Sequence, residues 1–467
     1  MTERGLDPAA AACFFPGFDG LEPPEWLRRR LADGLGGVVL FARNISDPEQ
    51  VAELTSAMRR ERPQLLVATD EEGGDVTRLE AATGSSYPGN LALGAVDDPA
   101  LTKRVAAAIG SDLGAVGVNL DLAPVADVVA RPENPIVGVR SFGGDPELVS
   151  RHVSAFVSGL QSVGVAACAK HFPGHGETTA DSHFDLPVAD VDLETLSDRA
   201  LPPFRAAVEA GVKAVMTAHI SVPALDDAPA TLSRELIGGL LRGRLGFSGM
   251  VITDALEMRA ISGTVGIEDG AVLALAAGAD ALCLGADLTS EQVDRVHAAI
   301  VEAVRSGRLA EERLAEAAAR IAETAAWAAE PHPQPDHEVG AEAARRALRV
   351  EGEPALDSAA LVLELCPEPT IAAGEASHRL SDVLPGVEVV RLQKGEAQPQ
   401  ISDRRQLVLV VRDAHRHAWQ RDMFRPGSIV IETGYPAWRP EGARAYVATY
   451  GSGRINLEAL AARVLRS

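Results

Sequence analysis

Short, continuously apolar runs alternate with longer segments rich in Ala, Leu, Arg and Glu along the first part of the chain. Strand alternating with helix predicts parallel β/α units. Because both faces of a strand in such a sheet are buried, its residues are apolar throughout and do not alternate with polar ones. The eight candidate strands are 11–15, 37–41, 64–69, 118–122, 163–169, 214–217, 250–253 and 281–284.

Charged or imidazole side chains follow nearly every one of these runs. They are Asp70, Asp121, Lys170 with His171, His219, and Asp254. The carboxyl ends of parallel strands meet on one side of a sheet, so we expect these side chains around one opening. A doubly wound sheet would also gather its strand ends, but the number of strands and the length of the segment favour a (β/α)8, TIM-like barrel.

A boundary follows this barrel. A predicted helix over 307–329 precedes Pro331, Pro333 and Pro335, which interrupt regular structure. Beyond them lie four further apolar strand candidates with helical segments among them, at 360–365, 406–411, 428–433 and 445–449. The sequence thus predicts an α/β fold with a catalytic barrel over 1–330, a linker over 331–350 and a smaller C-terminal α/β domain over 351–467.

Composition narrows the possible partners. The 467 residues are 46% hydrophobic and 24% charged, with a formal net charge of -22. Such an acidic chain has no long-range attraction for nucleic acid or an anionic membrane, and we find no uninterrupted apolar run long enough to span a bilayer. We therefore expect a small, neutral substrate, no nucleic acid and no membrane; the oligomeric state is not predicted.

The cysteines and the amino terminus bear on location. Three of the four cysteines lie within apolar runs and are interpreted as buried thiols, which suit a reducing compartment. Ala10-Ala11-Ala12-Cys13 faintly resembles a lipoprotein cleavage site, but Glu3 and Asp7 are unlike a basic leader. We expect a cytoplasmic protein.

The segment 170–187 is a long loop rich in Gly, Pro and titratable residues after a strand, and loops of this kind at a barrel opening are usually functional. His171 and His175 have the spacing of a helical zinc pair. Pro173 and Gly174 lie between them and exclude a helix, so we expect neither a metal nor another cofactor.

Two candidates for catalysis remain. In Asp181-Ser-His183, the carboxylate can orient the imidazole for proton transfer near neutral pH; the structural alternative is a loop-stabilising Asp turn. Asp254 follows the strand 250–253 and can attack an anomeric carbon; the structural alternative is an N-cap of the next helix.

Four motifs then carry a resemblance. They are Asp70-Glu-Glu-Gly-Gly-Asp-Val-Thr-Arg78, Gly138-Val-Arg-Ser-Phe-Gly143, the segment 170–187 and Ile252-Thr-Asp-Ala-Leu-Glu-Met258. In this order they resemble a family-three glycoside hydrolase. The Lys-His-Phe-Pro-Gly-His-Gly run with its Asp-Ser-His resembles the bacterial β-N-acetylglucosaminidase branch. A departure is Ala255, where many members of this branch carry a second carboxylate.

The resemblance implies a retaining exo-β-N-acetylglucosaminidase that removes terminal GlcNAc from muropeptide or chitin fragments. It makes Asp254 the nucleophile, His183 the acid/base and Asp181 the partner of His183. It also assigns the small carbohydrate substrate to the side chains of Asp70, Arg78, Arg140, Lys170 and His171. The alternative for these five is an ion-pair network that closes the barrel opening.

Three other functions stay open from the sequence. Phosphate could replace water as the acceptor, which would make the protein a phosphorylase. The enzyme could also accept β-glucosides. A sugar-binding protein on an inactive barrel is the non-enzymatic reading, but it predicts loss of the catalytic loop or of the strand-end acids, and both are present.

Overall fold

The structure, a computed structural model, describes residues 3–134, 136–178, 186–285, 288–357, 359–368, 379–401 and 405–465. Within these ranges, the first part contains ten strands: Phe14–Phe15 (β1), Gly37–Leu40 (β2), Leu66–Thr69 (β3), Leu120–Asp121 (β4), Ala166–Phe172 (β5), Ala214–Thr217 (β6), Ser221–Val222 (β7), Asp226–Pro229 (β8), Met250–Thr253 (β9) and Leu282–Cys283 (β10).

Six of these strands form a curled parallel sheet in the order β2-β3-β4-β5-β6-β9. β1 and β10 form a separate parallel pair, and β7 and β8 form an antiparallel hairpin. Backbone contacts link the pair to both edges of the large sheet. The Val39 amide donates to the Pro16 carbonyl at 3.1 Å, and Ile252 bridges to Ala281.

The sixteen α-helices are Glu3–Ala12 (α1), Glu25–Ala32 (α2), Pro48–Glu61 (α3), Asn90–Val96 (α4), Pro99–Ala115 (α5), Pro146–Ser162 (α6), Leu193–Thr195 (α7), Pro202–Glu209 (α8), Arg259–Ser262 (α9), Ile267–Ala277 (α10), Ser290–Arg305 (α11), Glu311–Trp327 (α12), Glu338–Ala347 (α13), Leu380–Val383 (α14), Ala418–Arg421 (α15) and Arg454–Val464 (α16), counted over the described residues. Shorter 3₁₀ turns lie at Ala42–Asn44, Gly138–Arg140 and Ala230–Leu232, and wider π-helical segments lie at Leu196–Ala200 and Glu235–Arg244.

Three helices of the first part, α3, α5 and α6, begin with the dipeptide Asp-Pro. The Asp side chain accepts a hydrogen bond from a first-turn amide, and Pro occupies the first helical position, where no amide hydrogen is needed. The capping residues are Asp47, Asp98 and Asp145. Short local signals therefore fix where the helices around the sheet begin.

The second part forms a six-stranded sheet of its own. Its strands are Arg349–Gly352 (β11), Leu361–Cys366 (β12), Glu388–Gln393 (β13), Leu407–Val411 (β14), Ile429–Glu432 (β15) and Ala445–Ala448 (β16). Their order is β11-β16-β15-β14-β12-β13, and all pairs are parallel except β11 with β16. Apolar clusters cover both faces of the sheet. The predicted α/β class is confirmed in both parts.

The span 331–350, predicted as a linker, packs along the first part and includes regular structure. The His332 amide donates to the Val163 carbonyl and the Gln334 amide to the Ser111 hydroxyl, both at 2.9 Å. Helix α13 and the beginning of β11 also lie within this span. The exact domain limits stay a prediction.

The sequence predicted buried cysteines and no membrane-spanning segment. Cys13, Cys168 and Cys283 are buried free thiols, as predicted, whereas Cys366 is only partly buried. Among the helices of the described residues, none is both long enough and apolar enough to cross a lipid bilayer.

Asp280 forms a buried ion cluster at the amino ends of β9 and β10, on the side of the sheet away from the strand-end residues. Its carboxylate is fully buried and contacts Arg242 at 2.7 Å, Arg320 at 3.2 Å and Arg313. It also accepts the Val251 amide at 2.9 Å. Asp280 therefore contacts three arginines at once and ties β9 to the helical segments that carry them.

We predict that Asp280→Ala lowers the free energy of unfolding by about 3 kcal/mol, because it leaves the partly buried Arg242 without its carboxylate partner, whereas Arg313 and Arg320 keep Glu316. Denaturant unfolding followed by circular dichroism measures this. Asp294→Ala is the matched control, since it removes an exposed partner of one arginine, Arg30, and should change little. Equal effects of the two substitutions would show that the cluster does not stabilise the fold.

Candidate active site

A cavity of about 1240 Å³ lies between the carboxyl ends of the first sheet and those of the second. The first part lines it with Asp70, Lys170 and Asp254, and the second with Cys366 and Thr433 among others. Parallel sheets place ligand sites at the carboxyl ends of their strands. Both sheets therefore direct their functional ends toward one cavity.

Asp254 lies directly after β9 and is partly exposed to this cavity. Its amide donates to the Thr217 carbonyl at 3.1 Å, and its Oδ1 accepts the Ala255 amide at 2.8 Å. The next helix, α9, begins only at Arg259, with Met258 in the cap position and no side-chain cap. Asp254 therefore caps no helix, which removes the structural alternative considered from the sequence.

His219 stabilises the backbone beside Asp254. Its Nε2 lies 3.0 Å from the Ala255 carbonyl oxygen, and its Nδ1 lies 2.8 Å from the Thr231 hydroxyl. The ring is fully buried. Both nitrogens have protein partners, so His219 positions the segment that carries Asp254.

Lys170 and Glu72 form the buried centre of an ion network below the cavity. The Lys170 ammonium lies 2.6 Å from Asp70 and 2.8 Å from Glu72. Arg140 contacts both oxygens of Glu72, at 2.6 and 2.9 Å, in the planar fork geometry that guanidinium and carboxylate favour. The ladder of β5 shifts register between Ala169 and Phe172, so the adjacent residues Lys170 and His171 both line the cavity.

Charge in this network is nearly balanced. Burial disfavours ionisation of Asp70, but Lys170 and Arg78 outweigh it and lower the pKa of Asp70. Burial likewise opposes the charge of Lys170, and Asp70 with Glu72 raises its pKa nonetheless. Asp70 keeps 19% of its side chain exposed, and Arg78 lies 3.7 Å from it. Asp70 is thus an ionised acceptor with a face toward the cavity.

Asp127 orients His171. The fully buried carboxylate of Asp127 lies 2.7 Å from His171 Nδ1 and accepts the His175 amide at 2.7 Å. A carboxylate of this kind only accepts, so Nδ1 carries the hydrogen and Nε2 is left for a ligand. Neither Asp127 nor Glu72 was assigned from the sequence. Glu72 lies within the Asp70 to Arg78 motif, whereas Asp127 follows no strand-end signal.

His175 is buried beside the cavity and bonds Thr178 through Nδ1 at 2.7 Å. Burial lowers its pKa, so the ring is neutral near pH 7. The segment 173–178 forms turns, and no helical zinc pair exists there. Over the part of the chain that the structure describes, no group of three His, Cys, Asp or Glu side chains is arranged to hold a metal.

The five predicted sugar-binding residues, Asp70, Arg78, Arg140, Lys170 and His171, all line the cavity with Asp254. The ion-pair alternative describes part of the same set, because Arg140 and Lys170 are also anchored by Glu72. Asp181 and His183 lie outside the described residues. Their roles, and those of the other site residues, stay predictions.

Glu71 is buried behind the cavity and fixes the backbone of the Asp70 to Arg78 loop. One of its oxygens accepts the Arg78 amide at 2.9 Å and the Leu79 amide at 3.0 Å. Burial raises the pKa of Glu71 from 4.5 to about 7. The unfolded chain releases this proton near pH 4.5 and the folded chain near 7, so this group lowers stability as the pH rises between those values.

We therefore predict that Glu71→Gln stabilises the protein in a pH-dependent way. The amide keeps an acceptor oxygen for the two backbone amides but carries no charge to bury. The gain in unfolding free energy should be small at pH 5 and on the order of 3 kcal/mol at pH 8. Urea unfolding at the two pH values measures it. A gain that is the same at both, or a loss at pH 8, would contradict the buried-proton explanation.

Carboxylates thus lie at the strand ends of a curled parallel sheet, among anchored cations that can bind hydroxyl groups. The chain belongs to glycosyl hydrolase family 3, because the model of that family's N terminal domain matches residues 23–324, more than half of the chain. The family expectation from the sequence is confirmed.

Individual relatives agree with this membership. Beta-hexosaminidase A of Pseudoalteromonas piscicida is 34% identical over 326 residues, which are 64% of this chain and 54% of that protein. The beta-hexosaminidase of Thiobacillus denitrificans is 41% identical over 264 residues, covering 54% of this chain and 72% of that protein. The match to the P. piscicida protein thus spans little more than half of its length.

A solved structure matches both parts of the chain. The glycoside hydrolase family 3 beta-N-acetylglucosaminidase from Paenibacillus sp. strain FPU-7 superposes with a TM-score of 0.88 at 35% identity. The superposition covers 98% of this chain and 96% of that one. The similarity therefore includes the second sheet as well as the first.

Proposed function

We propose that the protein is a retaining exo-β-N-acetylglucosaminidase that hydrolyses terminal β-linked GlcNAc. The observation that carries this proposal is the placement of Asp254 after β9, in the same cavity as the anchored Asp70. The name of the similar solved structure, a beta-N-acetylglucosaminidase, supports GlcNAc as the sugar that is removed. Muropeptide or chitooligosaccharide fragments are the proposed substrates, and recycling of cell-wall fragments in the cytoplasm is the proposed setting.

The proposed scaffold is a complete (β/α)8 barrel over 1–330, followed by the linker and the smaller domain over 351–467. In support, the β1–β10 pair supplies two parallel strands to the six of the large sheet. The Leu282 amide donates to the Cys13 carbonyl at 2.7 Å, and the Thr253 amide donates to the Ala281 carbonyl at 2.9 Å. A closed barrel would need both kinds of contact, the first between its last strand and its first and the second between its last two strands.

The proposed reaction has two displacements. Asp254 attacks the anomeric carbon while His183 donates a proton to the leaving oxygen, which gives a glycosyl ester of Asp254. His183 then takes a proton from water as the water attacks the same carbon and releases the carboxylate. Two inversions give net retention. Asp181 holds the His183 ring, and Asp70 with Lys170 and His171 binds the sugar hydroxyls.

The test compares chromogenic β-GlcNAc, β-glucoside and β-GalNAc substrates with purified protein, in phosphate and in phosphate-free buffer. We expect cleavage of the β-GlcNAc compound, free GlcNAc as product in both buffers, and β-GlcNAc as the first anomer seen by NMR.

Other outcomes are each decisive. GlcNAc 1-phosphate formed only in phosphate buffer would make the protein a phosphorylase, and comparable rates on the β-glucoside would make it a dual-specificity enzyme. α-GlcNAc as first product would exclude the double displacement. No cleavage of any substrate would leave a sugar-binding protein.

A further inference from the structure

The loop between Asp70 and Arg78 is a tight turn that holds the sugar-binding carboxylate. Gly73 and Gly74 adopt φ values of 78° and 62°, a left-handed conformation that favours glycine. The Glu72 amide donates to the Val76 carbonyl at 3.0 Å and closes the turn. A displacement of the tip would therefore move Asp70 and Glu72, which precede it in the chain, and Arg78, which follows it.

Asp75, at the tip of this turn, is bound on both oxygens by the second part of the chain. Arg412 Nη2 donates to Oδ2 at 2.6 Å, and the Ser452 amide donates to Oδ1 at 2.7 Å. Arg412 Nη1 also donates to the Ser452 hydroxyl at 2.6 Å. The Asp75 side chain is only 4% exposed. These groups form a closed, partly buried set of hydrogen bonds centred on the buried carboxylate of Asp75.

The second sheet makes this contact from the carboxyl ends of its strands. Arg412 follows β14 directly, and Ser452 lies between β16 and α16. The backbones touch as well, because a Cβ added at Gly453 would lie 2.9 Å from Gly74 Cα. The second part therefore rests on the tip of the turn, which is also held by the Gly74 amide donating to the Tyr87 carbonyl at 2.7 Å.

We propose that Arg412 is a positioning residue for the sugar: by holding Asp75, it fixes the turn that places Asp70 and Glu72 in the cavity. This inference rests on the proposed function, because it concerns the same sugar site. It assigns the second domain a part in substrate binding that the first sheet does not supply.

A purely adhesive role is the competing explanation, and the chain offers a matched contact for comparison. Arg454 also joins the two parts, through the Gly84 carbonyl at 3.1 Å and Glu80 at 3.2 Å. It does not line the cavity or touch the turn tip. Loss of Arg454 thus weakens the same interface without releasing Asp75.

The experiment measures kcat and KM on the aryl β-GlcNAc substrate, the Kd of GlcNAc by calorimetry, and the melting temperature. We expect Arg412→Ala to raise KM and Kd about tenfold with a smaller change in kcat, since misplacement of about 1 Å can cost up to ~100-fold. Arg412→Lys should restore part of the affinity, because an ammonium keeps the charge but not the fork. Arg454→Ala should lower the melting temperature and keep wild-type KM and Kd.

A double substitution tests the route through Asp75. If Arg412 acts through Asp75, Asp75→Ala with Arg412→Ala should raise KM no more than either single change. Wild-type KM and Kd in Arg412→Ala, with only a lower melting temperature, would overturn the proposal. If Arg412→Ala does not fold, Asp75→Asn makes the same test. A wild-type protein that neither cleaves nor binds GlcNAc would instead overturn the proposed function.

Discussion

Replacing Asp254 with alanine should lower aryl β-N-acetylglucosaminide hydrolysis by about a thousandfold or more, the scale for loss of a covalent nucleophile. The carboxylate sits at a strand end, its Oδ1 oriented by the Ala255 amide. The neighbouring position offers no substitute, since Ala255 cannot act as a nucleophile. Stopped assays with a sensitive fluorogenic leaving group would measure the residual rate.

Glu257→Gln is the control for this substitution. Glu257 is a second carboxylate on the same segment and lines the same cavity, but it has no proposed part in the chemistry. We expect it to keep at least a tenth of the wild-type rate, a smaller loss than that of a catalytic group. A larger loss in Glu257→Gln than in Asp254→Ala would show that the nucleophile is misassigned.

Azide provides a second test of Asp254 as the nucleophile, with the Asp254→Ala variant. A small anion can occupy the space of the missing carboxylate and attack an activated aryl substrate from that face. One displacement inverts the anomeric carbon, so the expected product is α-GlcNAc azide. A β-azide from this variant would contradict the assignment of the face that Asp254 occupies.

Much of the first sheet could be predicted from the sequence, because buried parallel strands are continuously apolar. Each predicted run overlaps an observed strand, and 214–217 and 250–253 coincide with β6 and β9; the run 163–169 ended too early, because β5 continues to Phe172. In the second sheet β12, β14, β15 and β16 were predicted in the same way. β11 and β13 were missed. Both are edge strands with exposed, charged residues, so they carry no continuous apolar signal.

Cavity residues could be predicted where a polar side chain comes near the end of a strand. They were missed where their place depends on contacts between residues distant in sequence. Asp254 directly follows β9, Lys170 and His171 lie within the last three residues of β5, and all three line the cavity. Asp127 orients His171 from 44 residues away, and the spacing gives no sign of this. The Asp75–Arg412 contact joins residues 337 positions apart. Such pairs are set by the packing of the two sheets, which a single sequence does not state.

The acid/base assignment predicts the second large effect. His183→Ala should lower hydrolysis of chitobiose, whose leaving oxygen needs a proton, by at least about a hundredfold. A dinitrophenyl β-GlcNAc substrate should form the glycosyl-enzyme almost normally, because its leaving group departs without protonation. The water step still lacks its base, so pre-steady-state measurement should show a burst of dinitrophenol followed by slow turnover.

Azide and the partner Asp181 complete the test of His183. Azide needs no general base, so it should restore turnover of the dinitrophenyl substrate by His183→Ala and give β-GlcNAc azide, the retained product, opposite to that of Asp254→Ala. Asp181→Asn should show a weaker form of the same pattern, because it leaves the imidazole in place and removes only its carboxylate partner. If His183→Ala hydrolyses both substrates at the wild-type rate, another group in the cavity transfers the proton, and the Asp181-Ser-His183 segment has only a structural role.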